Sequence, residues 1–220
     1  MIIAIDGPAG SGKSTTAKAV ARELGFRHLD SGAFYRAITH AALLRGLPVD
    51  AWARLAAPEL DALGVEAQPS AHGFRMFVDG VDVGEPIRTP GVTAQVSAMA
   101  RVPAVRTWLL DRLRAAARDN DLVADGRDIG TVVFPDAELK IFLIADPRAR
   151  AERRLRQMGR STAPLDIDEE ESRIAERDRI DSNRDVAPLR PADDVILLDT
   201  TALHFDEQVR RIVDLARARM

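Results

Sequence analysis

The sequence predicts an α/β fold in which a parallel β-sheet is flanked by helices. Short apolar runs alternate with helix-forming segments along the 220 residues, which is the pattern of strand–helix–strand units with right-handed crossovers. A glycine-rich segment follows the first apolar run directly, at the point where such a unit turns from strand to helix. These two observations, on a chain long enough for one domain, favour a single unit of this class.

The elements follow from apolar runs and from the residues that begin and end helices. The predicted sheet strands are Ile2–Ile5, Phe26–Leu29, Leu122–Asp125, Leu139–Ile144 and Val195–Leu198. The predicted helices cover about 14–24, 32–45, 50–64, 103–118, 147–158, 168–183 and 206–219, and a further helix begins at Pro90. Glycines end the first two helices, and prolines at the first helical position begin several of the later ones.

One segment departs from this alternation. Phe74–Val78 and Val81–Val83 flank Asp79-Gly80, a dipeptide that favours the type I′ turn of a two-residue β-hairpin. We therefore expect residues of about 62–88 to form a small antiparallel insertion. The rest of the chain contains no repeat, no long linker and no low-complexity tail.

The composition argues against several classes of protein. The chain has no cysteine, which excludes disulfide scaffolds and thiolate sites, and its four histidines form no H-E-x-x-H zinc motif. A net charge of −3 and an aromatic content of 5% argue against a nucleic-acid polymer as partner. No apolar stretch approaches the ~20 residues of a membrane span, and no signal peptide is apparent. We expect a cytoplasmic protein, and a monomer, since no heptad pattern calls for a dimer.

The glycine-rich segment satisfies the phosphate-binding pattern G-x-x-x-x-G-K-[ST] between a strand and a helix. Its residues, all expected to bind ATP, are Gly7, Pro8, Ala9, Gly10, Ser11, Gly12, Lys13, Ser14 and Thr15. Glycines let backbone N–H groups converge on phosphate oxygens, and the helix N-terminus adds its positive dipole. Lys13 would reach the β- and γ-phosphates and the Ser14 hydroxyl would ligate Mg²⁺. The expected ligand is ATP with Mg²⁺.

The remainder of the chain indicates which kind of P-loop protein this is. The only asparagines are Asn120 and Asn183, and neither begins the N-K-x-D clamp of a GTPase. The strand that ends at Asp125 is not followed by a glutamate that could activate water, whereas Asp125 itself could hold the water shell of the metal. This favours transfer of the phosphoryl group to a bound acceptor rather than to water.

Three polar clusters follow strand or helix ends, where ligands of α/β sheets bind. They are Leu29–Arg36, Asp125–Asp136 and Arg177–Leu189. With Ile5-Asp6-Gly7-Pro8 and Pro103-x-Val105-Arg106, these clusters closely resemble the bacterial cytidylate kinases, a branch of the nucleoside monophosphate kinases, and the resemblance covers essentially the whole chain.

The resemblance implies transfer of the ATP γ-phosphoryl group to CMP or dCMP, giving CDP or dCDP plus ADP, in pyrimidine nucleotide metabolism. It implies a core of about 1–30, 101–146 and 185–220. It further implies a monophosphate-binding lobe of about 31–100, which contains the antiparallel insertion, and a short lid of about 147–168.

The resemblance also assigns roles on the acceptor side. Arg36, Arg127 and Arg184 would clamp the acceptor phosphate, for which bidentate guanidinium groups are suited. The alternative for these arginines is surface ion pairing. Ser31 and Tyr35 would lie in the same pocket, the alternatives being a helix-capping serine and a core tyrosine.

Ser97, Arg106 and Asp128 would read the cytosine base, since a carboxylate can accept its amino hydrogen. Ser97 could instead be a packing residue, and Asp128 a helix cap or the ion-pair partner of Arg127. Arg177 and Asp181 would contact the sugar hydroxyls, and the i+4 and i+3 spacing predicts that they share one helical face with Arg184. The alternative is a charged, solvated face with an i,i+4 ion pair.

On this assignment the catalytic residues are Lys13, Arg127, Asp128 and Arg184. At least one member of the basic run Arg150, Arg153, Arg154 and Arg156 is expected to close on the transferred group, and Arg153 is assigned to ATP. Two other functions stay open: a P-loop kinase with another small acceptor, and a nucleotide-binding regulator without turnover.

Overall fold

The computed structural model describes residues 1–118 and 120–220, and it confirms the α/β class. The strands are β1 (Ile2–Asp6), β2 (Arg27–Asp30), β3 (Val65–Ser70), β4 (Gly73–Val78), β5 (Val81–Asp82), β6 (Leu122–Asp125), β7 (Leu139–Ile144) and β8 (Ile196–Asp199). The helices are α1 (Lys13–Leu24), α2 (Ser31–Leu44), α3 (Ala57–Asp61), α4 (Pro90–Met99), α5 (Pro103–Ala116), α6 (Pro147–Gln157), α7 (Pro164–Ser182) and α8 (Phe205–Arg217). Shorter 3₁₀ turns lie at Val49–Arg54 and Pro86–Arg88, and a π-helical turn lies at Ile129–Val133. Within these described ranges, no helix combines the length and the apolar character needed to cross a bilayer.

The chain divides into two units, one formed by Met1–Phe26 with Asp121–Met220 and the other by Arg27–Asn120. The first unit contains a parallel sheet in the order β6–β1–β7–β8. Ile5 on β1 lies opposite Asp125 on β6 and Ile141 on β7. Strands β1 and β6 therefore end within one residue of each other, while β7 runs two residues further, and the loops that follow β1 and β6 begin beside each other.

Helices α1 and α8 cover one face of the first unit's sheet. Apolar residues recur at helical spacing along α1, so one face of the helix is buried while the other is solvated. The core cluster includes Ile3, Val20, Ile141, Ile212 and Val213, each at most 4% exposed. Burying an aliphatic side chain of this size stabilises a fold by ~1.5–3 kcal/mol, so this cluster anchors the strand ends that carry the site.

The second unit contains the antiparallel insertion that the sequence predicts. Strand β4 pairs with β3 and β5 antiparallel, and it pairs with β2 parallel through His28 and Gly73. The hairpin turn has positive φ at both Asp79 (50°) and Gly80 (77°), as a type I′ turn requires. Helices α2, α4 and α5 belong to this unit, and Trp52 in the first 3₁₀ turn is almost fully buried.

Several predicted elements differ from the structure. The helix over 50–64 is wrong: a 3₁₀ turn ends at Arg54, two extended residues follow, and only the short α3 is helical. Pro58 explains the break, because proline has no N–H to donate and fits only the first turn of a new helix. Strand β3 is not among the predicted elements, since its alternation covers only Val65 to Gln68 and Pro69 interrupts it, which the structure allows because β3 is an edge strand.

Helix α7 begins four residues earlier than predicted. Pro164 occupies its first position, where the missing N–H costs nothing. The helix ends at Ser182, so Arg184 does not share a helical face with Arg177 and Asp181 as the spacing predicts.

Candidate active site

The phosphate loop joins β1 to α1 in the conformation that its glycines permit. Gly7, Gly10 and Gly12 have φ of 147°, 74° and 89°, a region that other residues rarely adopt. A Cβ at Gly7 would lie 2.3 Å from the carbonyl oxygen of Leu143, so no larger residue fits there. Helix α1 has no acidic residue in its first turn, and its N–H groups are left to bind an anion.

Lys13, the first residue of α1, folds back along this loop. Its side chain is buried, and Nζ donates to the carbonyl oxygen of Pro8 at 2.7 Å and to Ser11 Oγ at 3.4 Å. An ammonium group held this way stands over the loop that would carry the phosphates.

The charges around Lys13 favour an anionic ligand. Burial lowers the pKa of Lys13 well below its usual range, and the guanidinium of Arg127 lowers that pKa further. Arg177 acts in the same direction, whereas Asp125 and Asp6 oppose it. Three cationic groups are thus gathered beside one loop, and a polyphosphate would relieve their mutual repulsion.

Ser14 and Asp125 join the start of α1 to the end of β6. Ser14 Oγ donates to Asp125 Oδ2 at 2.5 Å, and the Asp125 carboxylate is 2% exposed. Hydroxyl and carboxylate oxygens are the hard donors that Mg²⁺ prefers. Within the described residues there is no cluster of three or more His, Asp or Glu side chains able to hold a metal. The pair therefore fits an ion that takes its other ligands from phosphate and water.

Helices α6 and α7 hold the phosphate loop at Ala9. The carboxylate of Asp178 accepts the Ala9 N–H at 2.8 Å, and Arg150 Nη1 donates to the Ala9 carbonyl oxygen at 2.9 Å. Arg150 also donates to Asp178, so the three residues form one connected set, which we call the Ala9 clasp. The apolar cluster beneath it comprises Ala9, Ala151, Leu155, Ile167 and Ile174. Arg150 is therefore committed to positioning this loop.

Asp181 on α7 orients two of the predicted acceptor-binding arginines. Arg127 Nε donates to Asp181 at 2.9 Å, and Arg184 Nη1 lies 4.0 Å from its other oxygen. Arg184 also donates to the carbonyl oxygen of Ala187 at 2.6 Å. All three ionisable side chains are at most 19% exposed. Arg127 thus forms an ion pair with Asp181, which holds its guanidinium in place.

Asp128 precedes the π-helical turn and is 5% exposed. Its side chain makes no capping hydrogen bond to that turn, so it is not the helix cap that the sequence left open. Instead, Asp6 at the end of β1 holds the turn, through the N–H groups of Ile129 at 2.9 Å and Gly130 at 2.8 Å. Sequence reasoning missed this role of Asp6. A carboxylate that ends an otherwise apolar strand was the available signal.

Burial raises the pKa of Asp6 to about 6. The hydrogen bonds from Gly130 and Ile129 oppose this shift, and the nearby Asp128 carboxylate adds to it. Lys13 opposes it weakly. Desolvation of the charged form outweighs the hydrogen bonds, so the pKa of Asp6 lies well above its ordinary value of 3.8.

Five of the predicted acceptor-binding residues belong to the second unit. Arg36 on α2 donates to Thr93 Oγ1 at 2.8 Å and to the Ile87 carbonyl oxygen at 3.2 Å. Arg106 on α5 donates to the Ala100 carbonyl oxygen at 3.2 Å, and its guanidinium lies 5.6 Å from the ring centre of Tyr35. Both guanidinium groups are thus oriented within this unit.

The two serines of the second unit differ in their setting. Ser31 is buried at the first position of α2, and Asp30, not Ser31, caps that helix through the Ala33 N–H at 3.0 Å. Ser97 is half-buried on α4.

The other arginines of α6 have separate partners. Arg153 donates to the carbonyl oxygen and hydroxyl of Thr200, just beyond the end of β8. Arg154 pairs with the buried carboxylate of Glu170 at 2.7 Å, while Arg156 forms an exposed pair within its own helix. Of the four arginines on α6 that the sequence singles out, Arg153 is therefore the one that lies at the end of a strand of the parallel sheet.

Comparison with known proteins gives the family. Residues 3–218 match the family model described as cytidylate kinase. The cytidylate kinase of Anoxybacillus flavithermus is 45% identical over 218 residues, covering 99% of this chain and 96% of that protein. A bifunctional pantoate ligase/cytidylate kinase of a Synechococcus strain is 47% identical over 98% of this chain, and this chain spans 40% of that relative's length.

A likeness to solved structures supports the fold alone. An uncharacterized protein from Eubacterium ventriosum superposes with a TM-score of 0.53 at 12% identity, with 100% of this chain and 99% of that chain covered. The sequence matches, by contrast, extend over both units and include the phosphate loop, the Asp125–Val133 segment and α7. The chain therefore belongs to the cytidylate kinase family.

Proposed function

We propose that the protein transfers the γ-phosphoryl group of ATP to CMP or dCMP, giving CDP or dCDP plus ADP. The observation that carries this proposal is the grouping in one unit of Lys13 with Arg127 and Arg177, beside the phosphate loop. A phosphoryl donor and a phosphate acceptor both bring negative charge, and such a group of cations offsets it. Family membership supplies the acceptor class and places the reaction in pyrimidine nucleotide metabolism.

On the donor side, the loop from Gly7 to Thr15 binds the ATP phosphates. Lys13 neutralises charge on the β- and γ-phosphates. The Ala9 clasp keeps the N–H groups of the phosphate loop in place. Mg²⁺ is the divalent ion that Ser14 and Asp125 fit, with Asp125 acting through water. When bound, this ion neutralises phosphate charge and orients the γ-phosphate. Arg153 contributes to the ATP site from the end of β8.

On the acceptor side, Arg127 and Arg184 of the first unit clamp the phosphate of the monophosphate. Arg36, Ser31 and Tyr35 of the second unit are assigned to the same nucleotide. Asp181 holds Arg127 and Arg184 in place, and with Arg177 it meets the sugar hydroxyls. The attacking oxygen of a monophosphate is already anionic, so no side chain has to remove a proton; the arginines supply orientation and charge compensation.

Base recognition is assigned to Asp128 with Ser97 and Arg106. Ionised, Asp128 accepts a hydrogen from the exocyclic amino group of cytosine, a donor that uracil lacks. We further propose a monophosphate-binding lobe of about 31–100 and a lid of about 147–168 around the core, and an enzyme that acts as a cytoplasmic monomer without a nucleic-acid polymer or a membrane as partner.

A coupled assay of ADP release tests the function. The purified protein is supplied with ATP and Mg²⁺ and with CMP, dCMP, UMP, AMP or no acceptor. We expect turnover that depends on the acceptor and is highest with CMP and dCMP. Faster turnover of AMP or UMP would identify a kinase for another acceptor. ADP release without any acceptor would indicate an ATPase, and binding without turnover a regulator.

A further inference from the structure

Asp6 has no part in the machinery proposed above, although it is among the most buried charged groups of the first unit. Its carboxylate is 4% exposed at the end of β1. Both of its oxygens are used: Oδ1 accepts the Ile129 N–H and Oδ2 the Gly130 N–H. Two successive backbone donors of one turn therefore converge on one carboxylate.

The turn that Asp6 holds follows Arg127 and Asp128 directly. Its own hydrogen bonds run from the N–H groups of Val132 and Val133 to the Asp128 carbonyl oxygen, at 2.9 and 3.1 Å. The opening N–H groups of a helical turn have no partner within it, and here Asp6 supplies the partner for two of them. The backbone direction at Asp128 is thus set from both sides, by the turn itself and by Asp6.

The turn packs closely against Asp6 and the Lys140 side chain. Ile129 is fully buried. A Cβ at Gly130 would lie 3.3 Å from two side-chain carbons of Lys140 and 3.5 Å from Asp6 Oδ2. The residue that follows Asp6 is Gly7, the first of the phosphate loop. One residue therefore connects the phosphate loop to the loop that carries Arg127 and Asp128.

We propose that Asp6 is a positioning residue that fixes Arg127 and Asp128 for the acceptor nucleotide through the N–H groups of Ile129 and Gly130. This inference rests on the proposed function. Only an acid offers two acceptor oxygens at this place. An asparagine would present one oxygen, and its NH₂ group would face the second N–H without an acceptor.

The test is Asp6→Asn, with Asp136→Asn as the matched control. Asp136 is an exposed acid three residues beyond the same turn, so its change removes the same charge without touching the turn. In Asp6→Asn we expect kcat/KM for CMP to fall at least roughly tenfold, as the loss of a hydrogen bond to a charged group implies. The preference for CMP over UMP should fall as well, because Asp128 is displaced.

The affinity for ATP should be preserved in Asp6→Asn. The dissociation constant of ATP with Mg²⁺, measured by calorimetric titration without acceptor, should change by no more than about twofold in Asp6→Asn. The Ala9 clasp holds the phosphate loop independently of Asp6. An equal loss of ATP and CMP affinity with unchanged CMP/UMP preference would mean that Asp6 only stabilises the fold, and would overturn the proposal.

Backbone hydrogen exchange gives a readout that needs no turnover. Exchange in 127–133 should accelerate in Asp6→Asn, while 13–24 and the control variant stay unchanged. If the unmutated protein fails to phosphorylate CMP, the proposed function is wrong, yet the exchange experiment still tests whether Asp6 holds the turn. Unchanged exchange of 127–133 in Asp6→Asn would show that Asp6 does not hold it.

Should Asp6→Asn not fold, Asp6→Glu carries the test. Glutamate keeps the charge and both oxygens but places them one methylene further along a buried side chain, so the hydrogen bonds from Ile129 and Gly130 cannot keep their geometry. We expect it to lower kcat/KM for CMP and the CMP/UMP preference while ATP affinity holds. Full activity with unchanged preference in a folded Asp6→Glu protein would contradict the proposal.

Discussion

The carboxylate of Asp178 accepts the backbone N–H of Ala9 at 2.8 Å, across a sequence separation of 169 residues. Arg150 completes this clasp by donating to both residues. The loop that would bind the ATP phosphates is therefore held from outside by α6 and α7, and its own glycines do not fix it alone.

Asp178→Asn should loosen the phosphate loop. The amide can still accept the Ala9 N–H, but the ion pair with Arg150 is lost and an NH₂ group faces the guanidinium. ATP should bind roughly tenfold more weakly, measured by titration without acceptor. Glu176→Gln, an exposed acid on the same helix, is the control and should leave ATP affinity unchanged. Equal affinities in all three proteins would show that the clasp does not govern ATP binding.

Lys13→Ala should abolish most turnover without unfolding the protein. Lys13 Nζ makes its hydrogen bonds within the phosphate loop, and its charge would act on the bond that breaks. We expect a loss of several orders of magnitude in kcat. Lys18→Ala, an exposed position on the same helix, should retain activity. Near-normal kcat in a folded Lys13→Ala protein would show that this loop does not take part in catalysis.

Asp128→Asn should change acceptor preference more than stability. UMP presents a carbonyl where CMP has an amino group, and a carboxylate facing that carbonyl leaves two acceptors without a proton between them. The amide can instead donate to UMP, so the CMP/UMP ratio of kcat/KM should fall roughly ten- to a hundredfold. The melting temperature should barely move, since asparagine has the same size and the hydrogen bonds from the turn to Asp6 stay in place. A much lower melting temperature, together with equal losses of kcat/KM for CMP and UMP, would show that Asp128 has a structural role and does not read the base.

Asp6 should make stability depend on pH in a defined direction. Its pKa is about 6 in the folded protein against 3.8 ordinarily, so the folded state holds the proton more tightly. The stabilisation is complete below about pH 3.8 and is lost as the pH rises through about 6. The free energy of unfolding of the unmutated protein, minus that of Asp6→Asn, should fall by about 2 kcal/mol between about pH 4 and 7.

Urea unfolding at a series of pH values measures this difference. Asp136→Asn serves as the control, because an exposed acid should give a difference that is nearly flat with pH. A difference between the unmutated protein and Asp6→Asn that stays constant, or that grows with pH, would contradict the raised pKa.

Some parts of the fold could be predicted because their causes are local. The Asp79-Gly80 turn follows from two adjacent residues that tolerate positive φ, and the helix that begins at Pro90 from one proline at its first position. The incorrect helix over 50–64 has a local cause too. Pro58 has no N–H to donate to the preceding turn, so the chain starts a new, short helix there.

The phosphate loop can be predicted from the sequence, because nine consecutive residues contain the glycines, the lysine and the hydroxyl that the site needs. The motifs around Asp125 and Arg177 indicate the family in the same way. Which charges hold these motifs in place depends on contacts between segments that are far apart along the chain. Asp6 reaches Ile129 across 123 residues and Asp178 reaches Ala9 across 169, and neither local propensity nor periodicity encodes such a pairing. It depends on the register of parallel strands and on the packing of α6 and α7 against the loop, which arise only when the whole unit folds.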